Sequence, residues 1–336
     1  MSNPPLPARA VAVPARAGAV RRGARARAAF VPWAFLAPLL AIFAAFYLWP
    51  AINTIGSSLF RWGLLRPWRL TQPDTWQWVG TGEYRQVLSD SEFWNAAFNT
   101  LIWLVVLPAF VAGISLAAAI LIWQVAHGPL ATAFRTVFVL PMTISLTAVG
   151  VIWSFVYNPD PDFGVLNAAL SGLGLGSAQW LSDLGSVDLG FTQLRLTNVA
   201  VIMPAVWGFV GFGVITVTAG LTTISQDLVD AARVDGARGR QVVRHVLIPA
   251  LRRPLTIVVV VSVIFALRTF DIVYVLTGGG PAQDTQVLAL LLWQMAFQFL
   301  DTPQGGAAAA IAVLLSLVMV TVAYPQLRGA ARRERT

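Results

Sequence analysis

Six long apolar runs constrain this chain more than any other feature of its sequence. Each is close to the roughly 20 residues that an α-helix needs to cross the hydrocarbon of a bilayer. Only 11% of the 336 residues are charged and 57% are hydrophobic, whereas soluble domains carry about 25% charged residues. We therefore predict an all-α polytopic membrane protein with about six transmembrane helices, at residues 30–50, 98–123, 134–157, 197–221, 255–276 and 305–325.

Four prolines lie inside these apolar runs. A proline removes one backbone hydrogen bond, and in lipid the freed carbonyl must be satisfied by neighbouring helices. We therefore expect a packed bundle with helix kinks, and the candidate positions are Pro38, Pro108, Pro141 and Pro204.

The distribution of arginine predicts the orientation of the chain in the membrane. If the amino terminus is cytoplasmic, the inner segments contain 17 of the 23 basic residues and four acidic residues. The outer segments then contain five arginines and ten acidic residues. Because basic loops stay in the cytoplasm, we place both termini and the loop at 222–254 on the inner side. The same rule explains the net positive charge of the chain, so a nucleic-acid partner is not needed to account for it.

These boundaries divide the chain into three parts. Residues 1–28 are rich in Pro, Ala and Arg and have little to bury, which predicts a disordered cytoplasmic tail. Residues 29–326 form the predicted transmembrane domain, and residues 327–336 form a second cytoplasmic tail. The first apolar run continues past any small-residue cleavage site, so we interpret it as an uncleaved signal-anchor.

The charged segment, defined here as residues 222–254, interrupts the apolar sequence with six arginines and three aspartates. Ser225 is a candidate N-cap for a first short helix, and the dipeptide of Asp235 and Gly236 predicts a turn. A second helix follows and is predicted to end at Pro249. Its apolar face consists of Val242, Val243, Val246 and Leu247. Two interpretations are open, a surface that docks a partner or a solvated basic loop that only obeys the topology rule.

The spacing of residues in the charged segment resembles the EAA loop of permeases of ATP-binding cassette (ABC) importers. The family pattern has Glu-Ala-Ala, a glycine after three further residues, and a proline after an apolar stretch. The matching residues here are Asp230, Ala231, Ala232, Asp235, Gly236, Ala237, Gln241 and Pro249. Asp230 stands where the family usually has glutamate, and Val243 stands where it usually has phenylalanine. The resemblance implies that the segment contains a coupling helix that docks in a groove of a cytosolic ATPase.

Three further stretches extend the resemblance over nearly the whole chain beyond the first tail. They begin at Phe93 (FWNAAFNTL), Phe134 (FRTVFVLPM) and Phe270 (FDIVYVLTGGGPAQDTQVLAL). The last is similar to the sugar-type branch, which includes permeases for maltose and glycerol-phosphate. The resemblance implies a permease subunit in the bacterial inner membrane that carries a di- or oligosaccharide. The implied partners are a second homologous permease, two cytosolic ATPase subunits that hold ATP and magnesium, and an extracytoplasmic sugar-binding protein.

The sequence contains no Walker motif and no catalytic constellation, so we expect a transport subunit and not an enzyme. TGGGP at 277–281 lacks the Gly-Lys-Ser/Thr of a phosphate-binding loop. His127 and His245 are far apart and the chain has no cysteine, which argues against a metal site or a resident cofactor. Two alternatives stay open, a permease for a glycerol-phosphate-like polyol and a secondary transporter. The second would need an internal repeat or ion-coupling acids, and only one acid lies in a span.

Six residues in or near the predicted spans are candidates for the substrate path: Asn99, Trp153, Trp207, Arg268, Asp271 and Tyr274. Arg268 and Asp271 lie three residues apart in the fifth span, hence on one helix face. They either hydrogen-bond a polyol or form a mutual ion pair that shapes the helix end. For Trp153 and Trp207, stacking on a sugar and simple packing are both open.

Two outer segments complete the prediction. Residues 285–298 are apolar but too few to span, which predicts an external interfacial or re-entrant helix. Residues 158–196 show no clear period and are interpreted either as a surface that receives a binding protein or as a plain loop.

Overall fold

The structure is a computed structural model that describes residues 32–63, 77–125, 129–188, 193–298 and 304–333. The predicted tail at 1–28 and the side chain of His127 lie outside the described residues. The chain divides into two units, residues 1–54 and residues 55–336. The first apolar run is helical at Pro32–Ser57 and includes a π-helical turn at Ala44–Leu48.

The described residues are mainly helical, which confirms the predicted fold class. The helices are α1 (Pro32–Ser57), α2 (Gly82–Ser89), α3 (Ser91–Val125), α4 (Pro129–Val139), α5 (Leu146–Val156), α6 (Val165–Gly172), α7 (Leu196–Thr222), α8 (Gln226–Val234), α9 (Gly239–Ala250), α10 (Arg252–Leu267), α11 (Asp271–Leu276), α12 (Leu288–Gln298) and α13 (Gly305–Arg333). Two short antiparallel pairs join β1 (Phe60–Arg61) to β2 (Gln77–Trp78) and β3 (Ser186–Asp188) to β4 (Gln193–Arg195).

Among the described residues, four helices are long and apolar enough to cross a membrane, namely α1, α3, α7 and the part of α13 at Gly305–Val322. Two bent helix pairs raise the number to six when each pair counts as one span. The helix of the second span begins at Ser91, earlier than the predicted 98. The last helix continues through Arg333, past the predicted domain boundary at residue 326. Five of the predicted runs therefore match candidate spans in position. The second bent pair joins α9 at Gly239–Ala250 to α10 at Arg252–Leu267, so it begins within the charged segment, earlier than the predicted 255–276.

The third span is not the single helix that the sequence predicts at 134–157. α4 and α5 meet at an angle of 105°, with a 3₁₀ turn at Leu140–Thr143 between them. Pro141 lies in this turn and has no N–H to continue a helical ladder. Ser145 then caps the new helix, because its hydroxyl accepts a hydrogen bond from the backbone N–H of Ala148 at 3.3 Å. Pro108 and Pro204, in contrast, lie inside helices that continue past them.

The centre of the bundle is formed where α3, α7 and α10 pack against one another. Trp103 and Leu107 on α3 are fully buried, as are Ile202 on α7 and Val258 on α10. Ser115 on α3 also donates a hydrogen bond to the backbone carbonyl of Val210 on α7, at 3.2 Å. Small polar residues that reach a neighbouring backbone are typical of packed helices in membranes.

The short apolar segment at 285–298 forms α12, which is too short to span, as predicted. It does not lie free on an interface, however, because one of its faces is buried in the bundle. Leu288, Leu291 and Met295 pack with Ala307, Ala308 and Ile311 of α13 in a separate core cluster. The small side chains of α13 allow this close approach.

The outer segment at 158–196 contains more structure than the sequence predicts. It includes α6, an isolated β-bridge between Gln179 and Asp183, and the β3–β4 pair. Asn167 is fully buried and its amide donates hydrogen bonds to the carbonyls of Asn158 and Ala178, at 2.8 and 3.0 Å. The Asn167 side chain therefore links the residues before α6 to the residues after it.

Candidate functional site

The charged segment folds into two helices joined by a turn, as predicted. α8 begins after Ser225, whose hydroxyl accepts a hydrogen bond from the backbone N–H of Asp227 at 3.2 Å. Ser225 is therefore the N-cap. The carboxylate of Asp227 lies in the first turn, where the helix dipole favours negative charge.

Gly236 ends the first helix in a backbone conformation that residues with side chains rarely adopt, with φ at +83°. Its N–H donates to the carbonyl of Arg233 at 3.0 Å, and the N–H of Ala237 donates to the carbonyl of Ala232 at 2.9 Å. This pair of bonds defines a Schellman C-cap. Ala232 and Ala237 both pack partly against the main core. The positions of Ala232 and Ala237 relative to Gly236 are therefore explained by the backbone hydrogen bonds of this turn.

The second helix, α9, presents the predicted apolar face to the bundle. Val242 and Leu247 are buried, and Val243 and Val246 pack partly against the same core. At the start of the helix, the side-chain oxygen of Gln241 accepts a hydrogen bond from the backbone N–H of Arg238 at 2.7 Å. The apolar face and the paired helices are thus confirmed in this part of the chain.

The second helix ends at Ala250, one residue beyond the predicted end at Pro249. The helix widens to a π turn at Val243–Leu247, where the N–H of Ile248 donates to the carbonyl of Val243. Pro249 has no N–H to donate, and the wider turn accommodates this loss without ending the helix. The chain bends by 62° only after Ala250, where α10 begins.

The elbow, defined here as α8, α9 and the turn between them, is exposed on the side that faces away from the bundle. Asp230 accepts hydrogen bonds from Gln226 and Arg233, at 3.2 and 3.3 Å, and remains more than half exposed. Val234 is 87% exposed and Leu228 is 53% exposed, so apolar surface stands beside these charges. The remaining residues that resemble the EAA pattern are exposed or partly exposed: Ala231, Ala232, Asp235, Gly236, Ala237, Gln241 and Pro249. The structure thus gathers the predicted docking residues on one accessible elbow.

The fifth span is broken, so Arg268 and Asp271 do not share one helix face as predicted. α10 ends at Leu267 with Arg268 as its C-cap, and α11 begins at Asp271. Both side chains are exposed, and no ion pair joins these two described residues. A cation after the end of one helix and an anion at the start of the next both suit the helix dipoles. Each charge is therefore stabilised by its own helix end, without an ion pair between the two.

The break also assembles an aromatic cluster that the sequence analysis missed. The rings of Phe270 and Tyr274 stack at 5.3 Å between centroids, and Trp293 lies 5.6 and 5.0 Å from them. Tyr274 is 46% exposed. A neighbouring cavity of about 300 Å³ is lined by residues that include both Arg268 and Asp271. The four-residue spacing of Phe270 and Tyr274 was visible in the sequence, but nothing there indicated the approach of Trp293.

Asn99, in contrast, is buried and fully used in a structural network. Its side-chain amide donates to the backbone carbonyl of Gln286 at 2.9 Å. Its oxygen accepts a hydrogen bond from the side chain of Asn198 at 3.1 Å. Asn99 is only 3% exposed, so it offers little surface to a substrate in this conformation.

Trp153 and Trp207 contact each other, with ring centroids 6.1 Å apart in an edge-to-face arrangement. Trp153 also lies 5.1 Å from the ring of Tyr157, whose hydroxyl donates to the carbonyl of Ala200 at 2.8 Å. Both tryptophans are half-buried and pack against the main core. This environment favours the packing interpretation over stacking on a substrate.

Within the part of the chain that the structure describes, no three His, Asp or Glu side chains come together as a metal-binding group. The exposed elbow and the exposed break between Arg268 and Asp271 are candidate sites because each gathers exposed charged side chains.

The described residues thus form a polytopic helical protein with up to six candidate membrane spans, an exposed charged elbow and a break between Arg268 and Asp271. The chain belongs to the family of inner membrane components of binding-protein-dependent transport systems, which matches residues 109–333.

Relatives with known names support this assignment. A probable ABC transporter permease protein of Pyrococcus horikoshii is 30% identical over 291 residues, which are 85% of this chain and 91% of that protein. The alpha-glucoside transport system permease protein AglF of Rhizobium meliloti is 29% identical over 305 residues, or 90% and 82% of the two chains. These matches identify the chain as a permease subunit of an ABC importer, a transport component.

One solved structure shows the same fold. A bacterial ABC transporter involved in the import of the acidic polysaccharide alginate contains a chain that superposes with a TM-score of 0.74 at 21% identity. The match covers 93% of this chain and 99% of that chain. The overall fold is therefore one found in a known importer.

Proposed function

We propose that this permease forms half of the translocation path of an ATP-driven importer for a sugar of the di- or oligosaccharide class. The observation that carries the proposal is the break between Arg268 and Asp271. It exposes two charged groups that form no ion pair with a described residue, beside an aromatic cluster and within the apolar run at 255–276. Aromatic faces with a few placed polar groups are the usual lining of small-molecule sites.

The chemistry of this surface and the similarity to the alpha-glucoside permease support the sugar class. Asp271 can accept hydrogen bonds from hydroxyl groups, and the ring of Tyr274 offers an apolar face and a phenol. Among the described residues that line the 300 Å³ cavity, Arg268 is the one cation, and a phosphorylated polyol would favour more cations. A neutral sugar is therefore preferred over a glycerol-phosphate-like polyol.

The second part of the proposal concerns the elbow of the charged segment. We infer that α8 and α9 dock on a cytosolic ATPase subunit, which holds ATP and magnesium. The support is an exposed surface of mixed charge and apolar groups, attached to the bundle through Val229, Val242 and Leu247. A rigid elbow of this kind transmits a push from the ATPase to the bundle, so that the path alternates between two openings.

The complete importer in this proposal lies in a bacterial inner membrane with both termini of the chain in the cytoplasm. It contains a second homologous permease, two ATPase subunits and an extracytoplasmic sugar-binding protein. The exposed face at Asp271 and Tyr274 would then meet the corresponding face of the second permease.

The test is binding-protein-dependent uptake of labelled oligosaccharides by the reconstituted complex. We expect uptake that needs ATP, saturates with sugar and is insensitive to ion gradients. Uptake that follows a proton or sodium gradient without ATP would contradict the proposal and favour a secondary transporter.

A further inference from the structure

A large cavity lies beside the charged segment, away from the break in the fifth span. Its volume is about 1000 Å³, and its walls come from the ends of α3, α4 and α7 and from both helices of the elbow. The proposed function places this end of the bundle at the cytoplasmic surface, and the inference below rests on that orientation.

The charge of this cavity has one sign. Arg135 from α4, Arg233 from α8 and Arg240 from α9 all line it, and no carboxylate is among its described lining residues. Arg233 is engaged by Asp230 at 3.3 Å. Arg135 and Arg240 make no ion pair with any described residue. Two guanidinium groups on separate elements therefore face one space without a described counter-charge.

A second, independent feature points to a ligand in the same space. The hydroxyl of Thr218 on α7 is buried and has no hydrogen-bond partner among the described residues. Thr218 lines the large cavity and also a smaller one of about 260 Å³, and Arg135 lines both. A buried hydroxyl without a partner costs about 1–3 kcal/mol. Its oxygen has almost no exposed surface in this conformation, so the side chain must rotate towards the cavity before a bound acceptor can offset that loss.

We propose that this cavity binds a phosphate-bearing anion. A phosphate group offers several acceptor oxygens, which suits two guanidinium groups and one hydroxyl that approach from three helices. Two sources share this chemistry, the headgroup of an acidic phospholipid of the inner leaflet and a free phosphate compound. Basic pockets between membrane helices at the cytoplasmic side are known lipid headgroup sites.

Occupancy of the site would have a mechanical consequence. Arg135 belongs to the third span, whereas Arg240 belongs to the elbow. An anion bound by both arginines would link the elbow to the bundle. The site would therefore regulate how strongly movements of the elbow are coupled to movements of the rest of the permease.

The experiment measures anion binding directly on the purified full-length chain with its partner subunits. Native mass spectrometry would count phosphatidylglycerol retained after exchange into neutral detergent, with and without added inorganic phosphate. We expect the double variant R135Q/R240Q to weaken retention at least tenfold, in line with the loss of hydrogen bonds to a charged group. Thr218→Val keeps the shape of the side chain and should weaken retention several-fold.

The matched control is R244Q/R253Q, which removes two exposed arginines of the same segment that do not line the cavity. Retention that falls only in the cavity variants and resists phosphate supports a lipid headgroup site. Competition by inorganic phosphate supports the same site with a soluble ligand. Equal retention in all proteins, or an equal loss in both double variants, would overturn the proposal. Sugar uptake by the wild-type complex is measured in a separate assay. A failure of the proposed function is therefore distinguished from a failure of the anion-site proposal.

Discussion

The side-chain amide of Asn198 donates a hydrogen bond to the side-chain oxygen of Asn99 at 3.1 Å, although the two residues belong to different spans. Both are buried. Asn198 also donates to the backbone carbonyl of Asp284 at 2.8 Å, and Asn99 donates to that of Gln286 at 2.9 Å. The pair therefore holds the loop before α12 against α3 and α7.

We expect Asn99→Ala to lower the free energy of unfolding by about 1–3 kcal/mol, because buried groups on Asn198 and Gln286 lose their partner. Thermal unfolding of the detergent-purified chain would measure the change. Asn95→Ala is the matched control. Its amide donates to Gln283 at 2.7 Å in an exposed position, where water can replace it. If Asn99→Ala unfolds like the wild type but raises the KM for sugar, Asn99 acts in recognition and the structural interpretation is wrong.

Gly236→Ala should weaken the elbow through backbone strain alone. No atom lies within 4 Å of a Cβ at this position, but φ is +83°. A left-handed conformation costs a residue with a side chain about 1–2 kcal/mol. We expect less ATPase subunit to co-purify with the variant and a lower rate of uptake.

Two further variants make this prediction specific. Gly239→Ala also has open space and no positive φ, so it should leave co-purification unchanged. Gly236→Asn should recover part of the loss, because asparagine tolerates the left-handed region better than alanine. Equal behaviour of Gly236→Ala and Gly239→Ala would show that the turn does not govern docking.

Asp271→Asn and Tyr274→Ala should each raise the KM for sugar uptake by about tenfold, the effect of losing one good polar or stacking contact. Both side chains are exposed, so the melting temperature should change little. Asp162→Asn and Phe297→Ala remove an exposed carboxylate and an exposed aromatic elsewhere, and should leave KM unchanged. An unchanged KM in both test variants would remove the break from the substrate path.

The ion pair of Arg61 and Glu83 should respond unequally to loss of its two partners. Their Nε and Oε1 atoms are 3.0 Å apart, and the Glu83 side chain is 2% exposed whereas that of Arg61 is 42% exposed. Arg61→Ala leaves a buried carboxylate without a cation and should cost about 3 kcal/mol of stability. Glu83→Gln leaves a guanidinium that water can reach and should cost about 1 kcal/mol or less. Thermal melts of the two variants test this order, and a larger loss in Glu83→Gln would contradict it.

The elbow of the charged segment could be predicted because its signals are local. The Ser225 cap, the turn at Gly236 and the apolar face of α9 each depend on residues within one or two turns of each other. The break in the third span also had local signals in Pro141 and Ser145. These signals did not lead to a predicted break, because the apolar run at 134–157 is long enough to span the membrane as one helix.

The order of apolar runs, the spacing around Gly236 and the family of the chain were readable from the sequence, because each depends on residues close together along the chain. Tertiary structure alone decided that Asn99 joins Asn198 and Gln286, that Trp293 meets Tyr274, and that Arg135 and Arg240 face one cavity. Those residues are far apart in sequence, and no periodicity reports which helices become neighbours when the bundle packs. Hydropathy likewise could not reveal the break at Arg268, since continuous and broken helices bury the same apolar residues.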